Sequence, residues 1–586
     1  MHARPLPTLA TLFAVLLLVA GPGRGQDAPA VVDTLPESFE VAILVPSLTG
    51  LSDQLANFES ATNLGIGDLQ DALGMFQREL GLINGMDHEG SMAVIIDGDA
   101  DSDAGNGASA VMVLPVSDYP ALVASLGGDP DQATTPVTLP GGTSGYCRSL
   151  GPFAVLGGEQ VAVDAVASGD GLAHLTALVG PAGLETIAES QLSVVVNPAL
   201  FGTDDLAQRL PEVASAMLTQ ADALLAVDLA PQPWMPQLQA WSRLSAQGAT
   251  GMVLGLGFSA DGMAFYESIL LKEDSELAAA YKGPLQGDTS ELLKKLPDRP
   301  IVLAAAGDPK AVSLAALLDQ VGGVIGLAPD GALGELKPTL EEMMEPATGV
   351  GFALYAVPAG KIWTHWLNSA TILKTDDPAA QRAAFKQFVT KLNGASLPLE
   401  NGESVTLTAV YRENERQVDG VQIDTYTVRM AIPPSVQTDP LTQVIANLAG
   451  VGFTGQVIAG PQQVIVTTVD DSAMTTDLIQ KAANPTGLGH QGSIAELREA
   501  QLPKQPTVQA YLNFTGIAES INPFLQMMGD AKPLAVPTDL PPVAMAIAND
   551  GQSARSVVFI PTDTLRLLAV ESFDLSPEDD PNNPGF

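Results

Sequence analysis

Apolar runs broken by glycine, proline and short polar turns fill the chain, and they recur twice in the same order. Phe39–Pro46 (FEVAILVP) predicts a buried strand after Leu35-Pro36, as Pro300–Gly307 (PIVLAAAG) does after Leu296-Pro297. Apolar residues three and four apart then predict helices. In the first half these are Leu51, Leu55 and Phe58, then Ile66, Leu69, Leu73, Phe76, Leu80 and Ile83. In the second they are Val312, Leu314, Leu317 and Leu318, then Leu333, Leu336, Leu340 and Met343. Hairpins follow at Met92–Asp97 with Ala110–Pro115 and at Val350–Val357 with Ile362–Ile372, and then helices at Tyr119–Leu126 and Ala379–Leu392. A further hairpin, Ser404–Arg412 with Val421–Met430, has a shorter counterpart around Val137–Leu139 and Tyr146–Leu150.

The clearest echo pairs Phe153–Leu175 with Gln456–Leu478. With Gln160 set against Gln463, Gly157 meets Gly460, and Val161, Val163 and Val166 meet Val464, Val466 and Val469. This predicts a strand, a glycine turn, a second strand opening at Gln-Val, and a helix in each copy. Leu192–Asn197 and Val508–Asn513 match next. Closing hairpins are expected at Met252–Phe258 with Met263–Leu271 and at Val543–Ala548 with Ser556–Ile560, turning at Asp261-Gly262 and near Asp550-Gly551.

Hairpin-linked strands interrupted by helices predict an α+β fold. It consists of two tandem copies of an antiparallel-sheet domain, each with helices packed on one face, related by a pseudo-twofold axis. The expected boundaries are 31–280 and 296–572, with a linker over 281–295 and an acidic, proline-rich disordered tail over 573–586. The succession of Leu-Pro, apolar strand, amphipathic helices and a hairpin of the type FAVLGGEQVAVDAV resembles a broad group of exported bacterial proteins of unknown function. The resemblance spans most of the chain and implies a duplicated α+β fold; the group brings no agreed catalytic residues to carry over.

Composition narrows the partners. Net charge is −40 with 16% charged residues, and the first lysine is Lys272; such a surface repels phosphate backbones and excludes nucleic acid as a partner. Residues 1–25 read as a signal peptide, whose apolar run Leu12–Ala20 is too short to span a bilayer. No later run reaches transmembrane length, so a soluble protein of the periplasm or exterior is expected. Cys147 is the only cysteine, which rules out an internal disulfide.

Candidate chemistry is sparse. Asp97, Asp99, Asp101 and Asp103 alternate along a loop and could converge on a calcium ion, although Ser102 and Ala108 replace the glycine and glutamate of a helix–loop–helix site. Weak calcium is therefore the only cofactor expected. Trp234 and Trp241 share a helical face, while Trp363 and His365 share one side of a predicted strand, with Trp366 on the other. His88, His174 and His490 lack zinc-ligand spacing, and Gly142–Tyr146 lacks the last glycine of a nucleophile elbow. Cys147 reads as a buried strand residue, and Asp204-Asp205 and Asp470-Asp471 as helix caps. The leading expectation is a non-enzymatic envelope or extracellular scaffold or binding module, its partner an envelope or extracellular protein. The alternatives are a carrier holding a lipid or other apolar ligand between sheets, and an enzyme whose site is assembled from distant loops.

Overall fold

The structure is a computed structural model. It describes residues 28–570 except 63–70, 83, 98–108, 140–141, 201–246, 282–288, 310–331, 359–360, 362–364, 366, 399–402, 419, 435–439 and 528–532. The chain divides into two compact units, one formed by Met1–Pro284 with Asn549–Leu575 and one built on Leu285–Ala548.

The first unit runs β1 (Val41–Val45), α1 (Leu48–Thr62), α2 (Ala72–Leu80), β2 (Met92–Asp97), β3 (Ser109–Pro115), α3 (Tyr119–Ser125), β4 (Thr134–Thr138), β5 (Ser144–Leu150) and β6 (Phe153–Gly157). It continues with α4 (Gln160–Ala165), α5 (Gly171–Glu189), β7 (Leu192–Val196), β8 (Ala249–Ser259), β9 (Gly262–Leu271) and α6 (Glu276–Ala280). The second unit holds α7 (Ser290–Lys294), β10 (Ile301–Gly307), α8 (Ala332–Met344), β11 (Ala347–Tyr355), β12 (Ser369–Thr375), α9 (Pro378–Leu392), β13 (Ser396–Pro398), β14 (Ser404–Val418) and β15 (Val421–Ala431). After these come α10 (Pro440–Val451), β16 (Phe453–Gly460), β17 (Gln463–Thr467), α11 (Ser472–Ala483), α12 (Ser493–Gln501), β18 (Val508–Leu512), α13 (Phe514–Met527) and β19 (Val543–Asn549). The chain then returns to the first unit with β20 (Ser553–Pro561) and α14 (Thr562–Val570).

Among the described residues the ladders that give the strand orders below are antiparallel. In the first unit the strand order is β4–β5–β6–β3–β2–β1–β7–β8–β9–β20. In the second it is β13–β14–β15–β16–β17–β12–β11–β10–β18–β19. In both, the opening strand lies centrally between the second strand and a late one, and the third strand pairs with the far arm of a hairpin.

Helices cover both faces of the sheet, where one covered face was expected. Ile43, Val45, Met92, Val94 and Leu156 pack with Leu51, Leu55 and Phe58 of α1 and Phe76 of α2. The alternate residues Ala42, Leu44, Ile95, Val113 and Val155 pack with Val31, Val32 and with Leu175, Val179 and Ile187 of α5. Strands such as VAILV and FAVLG carry no polar side to turn to water, which is how a sheet buried on both faces reads. In the second unit Phe385, Val389 and Leu392 of α9, with Leu340 and Met343 of α8, cover Leu373, Leu407, Tyr426, Val457 and Val466. On the opposite face Thr475 of α11 donates to Gln456 Oε1 at 2.5 Å.

Other expectations change. Gln160–Ala165 is a helix, with Val161 81% exposed and Val163 buried, so the valine alternation there is not a strand. The partner of β3 is Phe153–Gly157, as the partner of β12 is Gln463–Thr467; the echo is therefore out of register by one strand. Among the described residues the strand expected over Ile362–Ile372 begins at Ser369, and before it the amide of His365 donates back to the carbonyl of Lys361 at 2.8 Å. Part of the expected linker is α7, whose Leu292 and Leu293 are buried. Ser553–Pro561, which contains the expected strand Ser556–Ile560, pairs along its whole length with β9 and groups with the first unit.

Candidate functional site

Helix α9 starts cleanly. Asp377 accepts from the amide of Ala380 at 3.0 Å, and Pro378 occupies the first turn, where no amide donor is needed. Gln381, Phe385, Val389 and Leu392 go inward. That sets two other i, i+4 rows outward, Ala379–Ala383–Gln387–Lys391 and Arg382–Lys386–Thr390. Between this side of the helix and Glu413 of β14 lies a groove of about 610 Å³.

One lining residue of the groove, Arg382, is held by a buried carboxylate. Asp424 sits on β15 on the same face as Tyr426 and Val428, its side chain 1% exposed. Arg382 donates from Nε to Oδ2 and from Nη2 to Oδ1, the Tyr411 hydroxyl donates to Oδ2, and the amide of Asn414 donates to Oδ1 at 2.8 Å. Asn414 adopts φ 51°, in the bulge between Arg412 and Arg416. Burial opposes the charge on Asp424, but the bonds from Arg382, Tyr411 and Asn414 prevail and hold its pKa below the usual carboxylate value. Burial and the bond to Asp424 push the Tyr411 phenol far up. Each carboxylate oxygen already accepts two hydrogen bonds, so Asp424 ties α9 to the hairpin and has no lone pair left for a substrate proton.

The remaining cations of the groove are held more loosely. Lys386 pairs with Glu413 at 2.8 Å and Lys391 with Glu342 at 2.8 Å, all four side chains largely exposed. Such pairs contribute about 0–1 kcal/mol each, so a ligand carboxylate can replace either partner at little cost.

A second cluster lies around Asp471. It caps α11 through the amides of Ala473 and Met474, accepts from Lys361 Nζ at 3.1 Å, and stands 3.5 Å from His365 Nε2. Burial acts against its charge, yet the Met474 amide and Lys361 lower its pKa to about 2. Burial and Lys361 lower the pKa of His365. Asp470 accepts from Gln456 Nε2 at 2.9 Å and pairs with Arg416, so only Asp471 of that doublet is a cap.

Of the carboxylates expected to bind calcium, Asp97 ends β2 opposite Ser109, while Asp99, Asp101 and Asp103 lie outside the described residues. So do Trp234, Trp241, Trp363, Trp366, Asp204 and Asp205. Among the described residues no three His, Cys, Asp or Glu side chains are placed to hold a metal, and no helix is long and apolar enough to cross a membrane. Cys147 is fully buried, and burial pushes its thiol up to about 11. Sequence reasoning missed Asp424. Its signal was an aspartate on the inward side of VQIDTYTV, where a lone charge requires a partner.

No family model matches the chain, and no curated protein matches it. Among solved structures, crystal form I of TP0453 aligns with 48% of this chain and 96% of its own, at 11% identity and a TM-score of 0.18.

Proposed function

We propose that the chain is an exported, non-enzymatic binding module, and that the groove beside α9 is where its partner sits. The observation that carries this is the groove's construction: a trough along α9 past Ala379 and Ala383, a cationic rim with exchangeable carboxylate partners, and Arg382 locked in place by the saturated Asp424. In a protein of net charge −40, this rim favours an extended segment bearing carboxylates. We further propose that the two units are copies of one duplicated domain, which their matching strand orders support. Within each unit the described strands belong to one sheet with helices packed on its faces, which supports the binding module over a carrier holding a lipid between sheets.

The test is a photo-crosslinking residue at Ala383 or Gln387 in cells that express the chain. A discrete protein adduct, lost when Lys386 and Lys391 are changed to glutamate, supports the proposal. Adducts no different from those at a site on the far side of the protein overturn it. Extra apolar mass on the purified protein in native mass spectrometry would favour the carrier instead. Asp97, Asp99, Asp101 and Asp103 remain proposed as a weak calcium site. Calcium should then raise the melting temperature, and Asp99→Asn with Asp101→Asn should abolish the rise.

A further inference from the structure

Strand β20 lies against β9 from Ser553 opposite Leu270 to Pro561 opposite Gly262. Near the middle of this ladder Glu267 faces Ser556, with Leu254 of β8 on its other side. Ser556 Oγ donates to Glu267 Oε2 at 3.1 Å, whereas Oε1 is shielded from solvent and has no hydrogen-bond partner. The surroundings are apolar: Ile269 and Met252 belong to a buried cluster with Leu277 of α6, and Val194 and Tyr281 pack against it.

Among the described residues no cation acts on this carboxyl. Strands β7 and β8 contain no charged residue. The one charge on β20, Arg555, points from the opposite face toward Glu185 and Glu189 and lies over the Tyr266 ring. On α14, Asp563 and Arg566 pair with each other at 2.6 Å. Tyr281 is the titratable group that senses Glu267; burial and then the Glu267 charge raise its pKa.

We propose that Glu267 is a proton-operated latch on the C-terminal return strand: as a neutral acid it seals the β9–β20 ladder, and as a carboxylate it loosens that ladder. A carboxylate with one oxygen in apolar surroundings has lost its hydration without gaining a counter-charge, so ionisation is relieved only where water can reach it. Separation of β20 from β9, the strand pair that sets Glu267 opposite Ser556, brings water to Oε1. Burial raises the pKa of Glu267 from 4.5 to about 7, and the Ser556 hydroxyl pulls it the other way. The folded ladder therefore keeps a proton that the opened one releases. Its advantage is complete below about 4.5 and is lost as the pH rises through 7.

Hydrogen exchange on the full chain between pH 5 and 8, corrected for intrinsic rates, tests the latch. Protection of the β20 amides should fall by up to about tenfold per pH unit until pH 7 and then level off. In Glu267→Gln the profile should be flat, since an amide can hydrogen-bond Ser556 without titrating. In Ser556→Ala the fall should move to higher pH, because the bond that favours the ionised form is gone. A flat profile in the parent, or the same fall in Glu267→Gln, would overturn the proposal. If Glu267→Gln does not fold, Ser556→Ala decides, and an unmoved midpoint rejects the latch.

Discussion

Asp424 and Asp471 are both aspartates with lowered pKa values, but they hold different parts of the molecule. Asp424 fastens a helix to a hairpin, so Asp424→Asn leaves the Arg382 guanidinium facing a neutral group. The expected cost is about 3–5 kcal/mol in urea unfolding, as for other broken buried pairs. Replacing both partners, Arg382→Met with Asp424→Leu, should cost far less than the sum of the single changes, and a double-mutant cycle reads the difference. Asp471 holds a helix start. Its pKa is depressed from 3.8 to about 2, so its contribution is present above about pH 4 and is lost as the pH falls toward 2. Asp471→Ala should lower stability by about 1–2 kcal/mol at pH 7 and flatten the acid limb of the stability curve over that window.

Among the elements, α4 shows how far the amino-acid pattern could be followed. Val161 and Val163 alternate as in a strand, but Val163 and Val166 are buried three apart while Val161 is exposed. The helical arrangement makes a sharp prediction. Val161→Lys should change stability by no more than about 0.5 kcal/mol, whereas Val163→Lys, which buries an unpaired charge, should unfold the first unit or cost several kcal/mol. A strand with both valines on one face would suffer equally from either change; comparing the two melting curves decides. Longer elements were legible because their patterns admit one period only. The α9 stripe at Gln381, Phe385, Val389 and Leu392 fits nothing but a helix, and Ser404 onward paired with Val421 onward fits nothing but a hairpin. The groove was not legible. Ala379, Ala383 and Lys386 read as an ordinary exposed helix side, and only the fold brings Glu413 and Asp424 to them from strands.

At the scale of the whole molecule, element order was readable but membership of the units was not. Hairpin logic assigns Ser553–Pro561 to the second domain, and nothing local marks the strand as completing a sheet begun near residue 41. A fragment ending at Pro284 would leave β9 with an open edge and its apolar residues without β20 and α14. We expect such a fragment to aggregate in size-exclusion chromatography. The same fragment carrying Asn549–Leu575 on a flexible linker should elute as a folded monomer and melt cooperatively.

The return strand also sets a timetable. Glu267 waits for Ser556, 289 positions later, before its ladder can close. At synthesis rates of about 5–20 residues per second this is a delay of roughly 15–60 seconds. Throughout it β9, paired only with β8, keeps one edge open beside Phe265 and Tyr266, and any other chain with a free edge is a competitor for it. Strand β20, the last among the described residues, is thus the one that ends the period in which this protein is most exposed to pairing with the wrong neighbour.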